Sequence, residues 1–225
     1  MPDTTHVLVT GANGFVGSQL IERLHAEPGV TVAGSTRQVA TDYANGVRLY
    51  AVGNIDAQTD WYSALVGVDV VVHTAARAHV VAETVTNALS EYRRVNVEGT
   101  RSLARQAVDH GVRRFVFISS IGVNGNINTE PFRSTDEPKP ADAYAISKHE
   151  AEMALEEIAT QTGLEVVIVR PPLVYGPNAP GNFAKLLDWV QRGAPLPLGA
   201  VNNNRSLVAL DNLVDLITVC IEHPA

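Results

Sequence analysis

Residues 6–25 read His6-Val-Leu-Val-Thr10-Gly11-Ala-Asn-Gly14-Phe-Val-Gly17-Ser-Gln-Leu-Ile-Glu-Arg-Leu-His25. A β-branched run stops at Thr10, glycines follow in a GxxGxxG pattern, and apolar residues then recur at helical intervals. Strand, glycine turn and helix together are the context of a dinucleotide fingerprint. Gly11 permits the tight turn, Gly14 lets the backbone approach a pyrophosphate, and Gly17 allows the helix to pack closely on the strand. The helix N-terminus offers free N–H groups and the positive end of its dipole to an anion. Asn13, Phe15 and Val16 lie within the same turn and join the glycines as candidate cofactor contacts.

Outward from this unit the same rhythm repeats. Strands are predicted at His6–Thr10, Val30–Ser35, Val47–Val52, Val68–Thr74, Arg114–Ser119 and Glu165–Arg170. Helices are predicted at Phe15–Ala26, Asp60–Val66, Leu89–His110 and Ala143–Thr162, with Gly111 and Gly163 placed to close two of them. Near-continuous apolar strands point to burial on both faces, as in a parallel sheet covered by helices. The fold class is therefore α/β, a Rossmann-type doubly wound parallel sheet over residues 1–170. From 171 onward, prolines 171, 172, 177, 180, 195 and 197 break the rhythm. Helices are predicted there at Phe183–Gln191 and Leu213–Glu222. A boundary falls near 171, where residues 171–225 begin to shuttle between the sheet domain and a cap.

The 225 residues are 45% hydrophobic and 18% charged, with a net charge of −7. This balance gives no electrostatic footprint for nucleic acid or an anionic membrane, but leaves room for an anionic small molecule in a locally positive pocket. The lone cysteine, Cys220, cannot form an internal disulfide and fits a reducing compartment. The N-terminus lacks the pattern of a signal peptide, and no apolar run approaches the ~20 residues of a membrane span. These features make a cytoplasmic location the expectation. The histidines show no ligand spacing, so no metal site is expected, and His73, ending a buried strand, is expected to bond locally.

Two further motifs carry chemistry. Ser119-Ser120 ends the fifth strand, and Tyr144-Ala-Ile-Ser-Lys148 opens a helix with Tyr144 and Lys148 on one face. A tyrosine hydroxyl ionises near pH 10, and a nearby ammonium together with a positive nicotinamide ring would favour its phenolate. Tyr144 could then exchange a proton with a sugar or alcohol hydroxyl while a hydride moves to or from the cofactor. At the end of the second strand, Thr36-Arg37 stands where an acid would bind a ribose hydroxyl. Arg37 instead suits a 2′-phosphate, which leans the cofactor from NAD toward NADP.

Taken together these residues resemble the extended short-chain dehydrogenase/reductases, the NAD-dependent epimerase/dehydratase family. The resemblance covers nearly the whole chain. It implies that Asn54-Ile55 lies beside adenine, with asparagine replacing the family's aspartate, and that Thr74-Ala75-Ala76 closes over the cofactor. It implies that Asn96 is the structural asparagine of the long helix and that Ser120, Tyr144 and Lys148 form the catalytic set. Arg170-Pro-Pro-Leu-Val-Tyr-Gly-Pro177 resembles the segment passing the nicotinamide, with Leu173 where the family usually has asparagine. Asn182 and Arg205 resemble residues that grip a substrate diphosphate, and an arginine fork suits phosphate oxygens.

Ser120–Gly125 and Pro195–Gly199 most resemble bacterial nucleotide-sugar enzymes of surface-polysaccharide synthesis: UDP-sugar 4-epimerases and reductases of UDP-4-keto-6-deoxy-N-acetylhexosamines. Ile121-Gly122 stands where dehydratases carry Asp-Glu, so dehydration is not expected. The alternative is a non-catalytic dinucleotide-binding sensor of the same fold. The two long helices resemble those of a family homodimer. Family members continue beyond the region where this chain stops. The resemblance therefore implies that residues 171–225 are a partial substrate-binding region, and a complete cofactor site paired with an incomplete substrate site is expected.

Overall fold

The computed structural model describes residues 4–38, 46–78, 88–179, 188–193 and 204–224. Strands β1 (Thr5–Thr10), β2 (Val30–Thr36), β3 (Arg48–Ala51), β4 (Val70–His73), β5 (Arg114–Ile118) and β6 (Glu165–Val169) form one parallel sheet. Their order is β3-β2-β1-β4-β5-β6. The order reverses between β1 and β4, which opens a crevice at the carboxyl ends of those two strands.

The pleat sorts side chains onto two faces. Val7, Val9, Val70, Val72, Val116 and Ile118 pack on one side with helix α1 (Phe15–His25) and helix α6 (Leu210–Glu222). Leu8, Val71, Phe115 and Phe117 pack on the other, under α2 (Tyr62–Leu65), α4 (Thr100–Asp109) and α5 (Ala143–Thr162). Because the central strands β1, β4 and β5 bury both faces, their apolar runs in the sequence are continuous rather than alternating.

The helix expected over Leu89–His110 has three parts: α3 (Ala88–Tyr92), a π-helical stretch at Arg93–Gly99, and α4. A π stretch widens the turn and re-aims side chains, here Asn96. Gly99 at its end is needed because a Cβ there would fall on the Ile55 side chain. Helix α5 runs over the expected residues. Asp142 Oδ1 caps it by accepting the Ala145 N–H at 2.8 Å, and Gly163 closes it at φ 77°.

Two expectations shift. The helix predicted to begin at Leu213 begins at Leu210, because β8 (Leu207–Ala209) runs straight into it and Leu210 already faces the core. β8 pairs with β7 (Leu173–Tyr175) in a small parallel sheet whose strands are short and half exposed, so proline texture hides them in the sequence. Arg114 anchors the far end of α6, donating Nη1–H to the carbonyls of Cys220 and Ile221 at 3.1 and 3.0 Å. A cation at a helix C-terminus also meets the favourable end of its dipole. Among the described residues, no helix is long and apolar enough to cross a membrane.

Candidate active site

The glycine turn sits at the mouth of the crevice. Gly11 has φ 69°, the left-handed region that favours glycine, and its carbonyl accepts the Gly14 N–H at 2.8 Å. A Cβ on Gly17 would fall on the Gly11 carbonyl oxygen, so only glycine lets α1 lie this close to the turn. The α1 N-terminus has no side-chain cap and no acidic residue in its first turn, while Asn13 and Gly14 are exposed. Unclaimed N–H groups at a helix start fit a pyrophosphate. Phe15 and Val16 are half-buried beneath it.

A chain of hydrogen bonds ties this turn to β4 and to the π stretch. The Thr100 hydroxyl donates to the Asn96 carbonyl at 2.7 Å, so its oxygen accepts from His73 Nε2–H at 3.0 Å. His73 Nδ1 then accepts from the Thr10 hydroxyl at 2.7 Å, and Thr10 Oγ1 accepts the Ala75 N–H at 3.3 Å. The Thr74 hydroxyl donates to the Thr10 carbonyl at 2.6 Å. His73 is fully buried, and desolvation, helped by the nearby Lys148 charge, pushes its pKa down to about 3. It is a neutral linker in the network that holds Thr74 and Ala75 against the end of β1 and the glycine turn.

Asn96, turned inward by the π stretch, grips both sides of one residue. Its Oδ1 accepts the Arg77 N–H at 2.8 Å, and its Nδ2 donates to the Arg77 carbonyl at 3.1 Å. The same Nδ2 donates to Ser147 Oγ at 2.9 Å, and the Ser147 hydroxyl donates to the Tyr144 carbonyl at 2.7 Å. The loop after β4 and the first turn of α5 are thereby held to one asparagine.

Ser120 follows β5 in extended conformation. Its Oγ accepts the Gly122 N–H at 3.1 Å, which leaves the hydroxyl hydrogen available to a ligand oxygen. A Cβ on Gly122 would sit 3.3 Å from Ala145 Cβ, so this glycine lets the Ser120 turn press onto the turn of α5 that carries Tyr144. Tyr144 meets Tyr92 edge-on, with ring centroids 6.1 Å apart. Burial, then Asp142, then Tyr92 push its pKa up to about 12. The lowering expected from Lys148 together with a nicotinamide ring is opposed by these groups of the chain itself. Lys148 Nζ sits 4.1 Å from the centroid of the Phe117 ring, and burial drops the lysine to about 7 despite the carboxylate of Glu152.

The remaining candidates are peripheral. Arg37 is exposed just beyond β2, where Thr36 Oγ1 donates to the Gln38 carbonyl. Asn54 is exposed, with its carbonyl accepting from Thr59 Oγ1 at 3.1 Å, while Ile55 packs toward Gly99. Arg205 is exposed before β8. Asn182, most of the helix expected over Phe183–Gln191, and Pro195–Gly199 lie outside the described residues. Sequence reasoning missed Glu152, a buried acid bound to Ser119 and Arg170. Its spacing of four from Lys148 puts both on one helix face and is the signal that could have found it.

A glycine turn at the switch point of a doubly wound sheet, with a Tyr-x-x-x-Lys helix beside it, defines a dinucleotide-dependent short-chain dehydrogenase class. Residues 7–225 match the NAD dependent epimerase/dehydratase family, and the chain belongs to it. It is 47% identical over 221 residues to a UDP-glucose 4-epimerase of Vibrio cholerae, covering 97% of this chain and 67% of the relative. It is 31% identical over 217 residues to an N-acetyl-alpha-D-glucosaminyl-diphospho-ditrans,octacis-undecaprenol 4-epimerase of Escherichia coli O157:H7, covering 94% of this chain and 62% of that one. A crystal structure of UDP-glucose 4-epimerase with UDP-glucose from Thermotoga maritima superposes with a TM-score of 0.80 at 26% identity. That match covers 97% of this chain and 74% of the other.

Proposed function

We propose that this chain carries the cofactor-binding and catalytic residues of a nucleotide-sugar 4-epimerase acting on a UDP-sugar. The observation that carries the reading is the meeting of Ser120 and the Tyr144–Lys148 turn of α5, across Gly122. In this reading Gly11, Asn13, Gly14, Phe15, Val16 and Gly17 hold the pyrophosphate. Asn54 and Ile55 flank the adenine, Thr74–Ala76 and Asn96 close the nicotinamide side, and Asn182 and Arg205 grip the substrate diphosphate. A nicotinamide held there would supply reversible hydride transfer at sugar carbon 4 and a positive charge beside Tyr144. Tyr144 takes the proton of the carbon 4 hydroxyl as the hydride leaves and gives it back as the hydride returns. Ser120 donates its free hydrogen to the same oxygen. Lys148, when protonated, stabilises the phenolate.

The 47% identity to a UDP-glucose 4-epimerase supports this reading. NAD is the cofactor an epimerase reading favours, since the hydride is returned and none is consumed. Arg37 favours a second reading, a 4-keto-sugar reductase using NADPH. The test is incubation of purified protein with UDP-glucose and UDP-N-acetylglucosamine, and separately with UDP-4-keto sugars and NADPH. The proposal expects carbon 4 inversion without net cofactor use, and a loss of about 1000-fold or more for Tyr144→Phe, since general acid–base transfer contributes up to about 10⁴-fold. Net NADPH consumption with no inversion would sink the epimerase reading. The proposal extends to a homodimer through the outer faces of the π stretch, α4 and α5. Val97 and the half-exposed Met153 line a groove there, spanned by the Arg93–Glu150 ion pair.

A further inference from the structure

Beneath the catalytic turn lies a charged cluster that the reaction above does not use. Glu152 is only 1% exposed, one helical turn beyond Lys148. Ser119, the residue before Ser120, donates its hydroxyl to Glu152 Oε1. Arg170, at the end of β6, donates Nε–H to Oε1 at 3.0 Å and Nη2–H to Oε2 at 2.6 Å. Its third arm donates Nη1–H to Asn124 Oδ1 at 3.2 Å, and Asn124 Nδ2 donates to the Arg133 carbonyl at 3.0 Å. Backbone bonds run alongside: Ser119 N–H to the Val169 carbonyl at 2.7 Å and Ile121 N–H to the Pro171 carbonyl at 3.0 Å. One buried carboxylate thus joins the strand end carrying Ser120, the helix carrying Tyr144 and Lys148, and the segment leaving the sheet at Arg170.

A buried ion pair is weak evidence for stability, because desolvation offsets much of its attraction. Apolar residues would fill the same space, so the charge here calls for another explanation. We propose that Glu152 is a positioning residue for the reaction: its carboxylate, bound by Ser119 and Arg170, holds Ser120 in place against the Tyr144 turn and sets a negative charge one helical turn from Lys148. The inference rests on the catalytic assignment made above. The titratable groups around Lys148 come from several elements. They are Glu152 and Tyr144 on its own helix, His73 on β4 behind Phe117, Tyr92 beside Tyr144, and Arg170 and His149 beyond Glu152. Among them Glu152 is the group that works against the loss of charge that burial imposes on Lys148.

The chain has three lysines, Lys139, Lys148 and Lys185, so selective ¹³C-lysine labelling resolves Lys148, identified by the signal lost in Lys148→Met. Glu152→Gln keeps the shape and the Ser119 hydrogen bond but removes the charge. The expected result is a titration point for Lys148 lower by about one pH unit or more, with NAD affinity unchanged. Ser119→Ala keeps the charge and cuts the tie to the strand end. It is expected to leave the Lys148 titration in place while kcat falls about tenfold at constant KM, the mark of a misplaced group. If Glu152→Gln does not fold, Glu152→Asp replaces it and is expected to keep the Lys148 titration while lowering kcat. An unmoved Lys148 titration in Glu152→Gln, or an unchanged kcat in Ser119→Ala, overturns the proposal. A wild-type protein that turns over no nucleotide sugar strikes the activity reading alone, and the lysine titration then decides the role of Glu152 by itself.

Discussion

Lys148 shows how one residue carries opposing demands. Its stem and ammonium are fully buried, with the ammonium over the Phe117 ring, and its pKa falls from 10.5 to about 7. The sign of the linkage follows. Between pH 7 and 10.5 the unfolded chain holds the lysine proton and the folded chain does not, so stability rises with pH across that window. Thermal melts from pH 7 to 9.5 are expected to show this rise in the wild type and a flatter profile in Lys148→Met. Equal slopes would place the ammonium in water. Gly17 makes the complementary point without charge, because the position tolerates no Cβ at all. Both residues stand out in the sequence by spacing. The spacing of Tyr144 and Lys148 placed them on one face, but the direction of the tyrosine shift depended on burial and on Asp142 and Tyr92.

At the scale of the element, the π stretch at Arg93–Gly99 is the part that periodicity could not reveal. The apolar spacing predicts one uninterrupted helix, and the backbone does continue through it with helical torsions at Tyr92, Gly99 and Thr100. The wider turn is stabilised by what Asn96 gains: three hydrogen bonds, to the Arg77 N–H, the Arg77 carbonyl and Ser147. Asn96→Ala leaves the Arg77 N–H and carbonyl without that partner. The expected loss is about 2–3 kcal/mol of unfolding free energy, from the unmade bonds of buried groups, together with weaker NAD binding, because the loop after β4 loses its tether. Denaturant unfolding and a NAD titration check the two effects. A loss below about 0.5 kcal/mol would mean that the π stretch holds itself.

For the whole molecule, the helices on the outside of the sheet include a face that fits the homodimer proposed above. The outer side of the π stretch, α4 and α5 presents the half-exposed Met153 and the Arg93–Glu150 pair, over a groove floored by the buried Val97. The homodimer proposed above predicts that light scattering gives about twice the chain mass and that Met153→Glu returns it to the monomer mass, since a charge buried without a partner opposes association. A monomer mass for the wild type at working concentration would remove that proposal. What the chain determined by itself were features written by near neighbours: the glycine turn, the strand–helix alternation, the Tyr-x-x-x-Lys face and the Gly163 cap of α5. Each depends on torsions and side-chain periodicity within a few residues. The tertiary structure decided the rest. Thr10 meets His73 across 63 positions, Asn96 meets Ser147 across 51, and Ser119 meets Glu152 across 33. Which buried polar group satisfies which is set by the sheet order and by the exclusion of water, and neither is encoded in the spacing of a single segment.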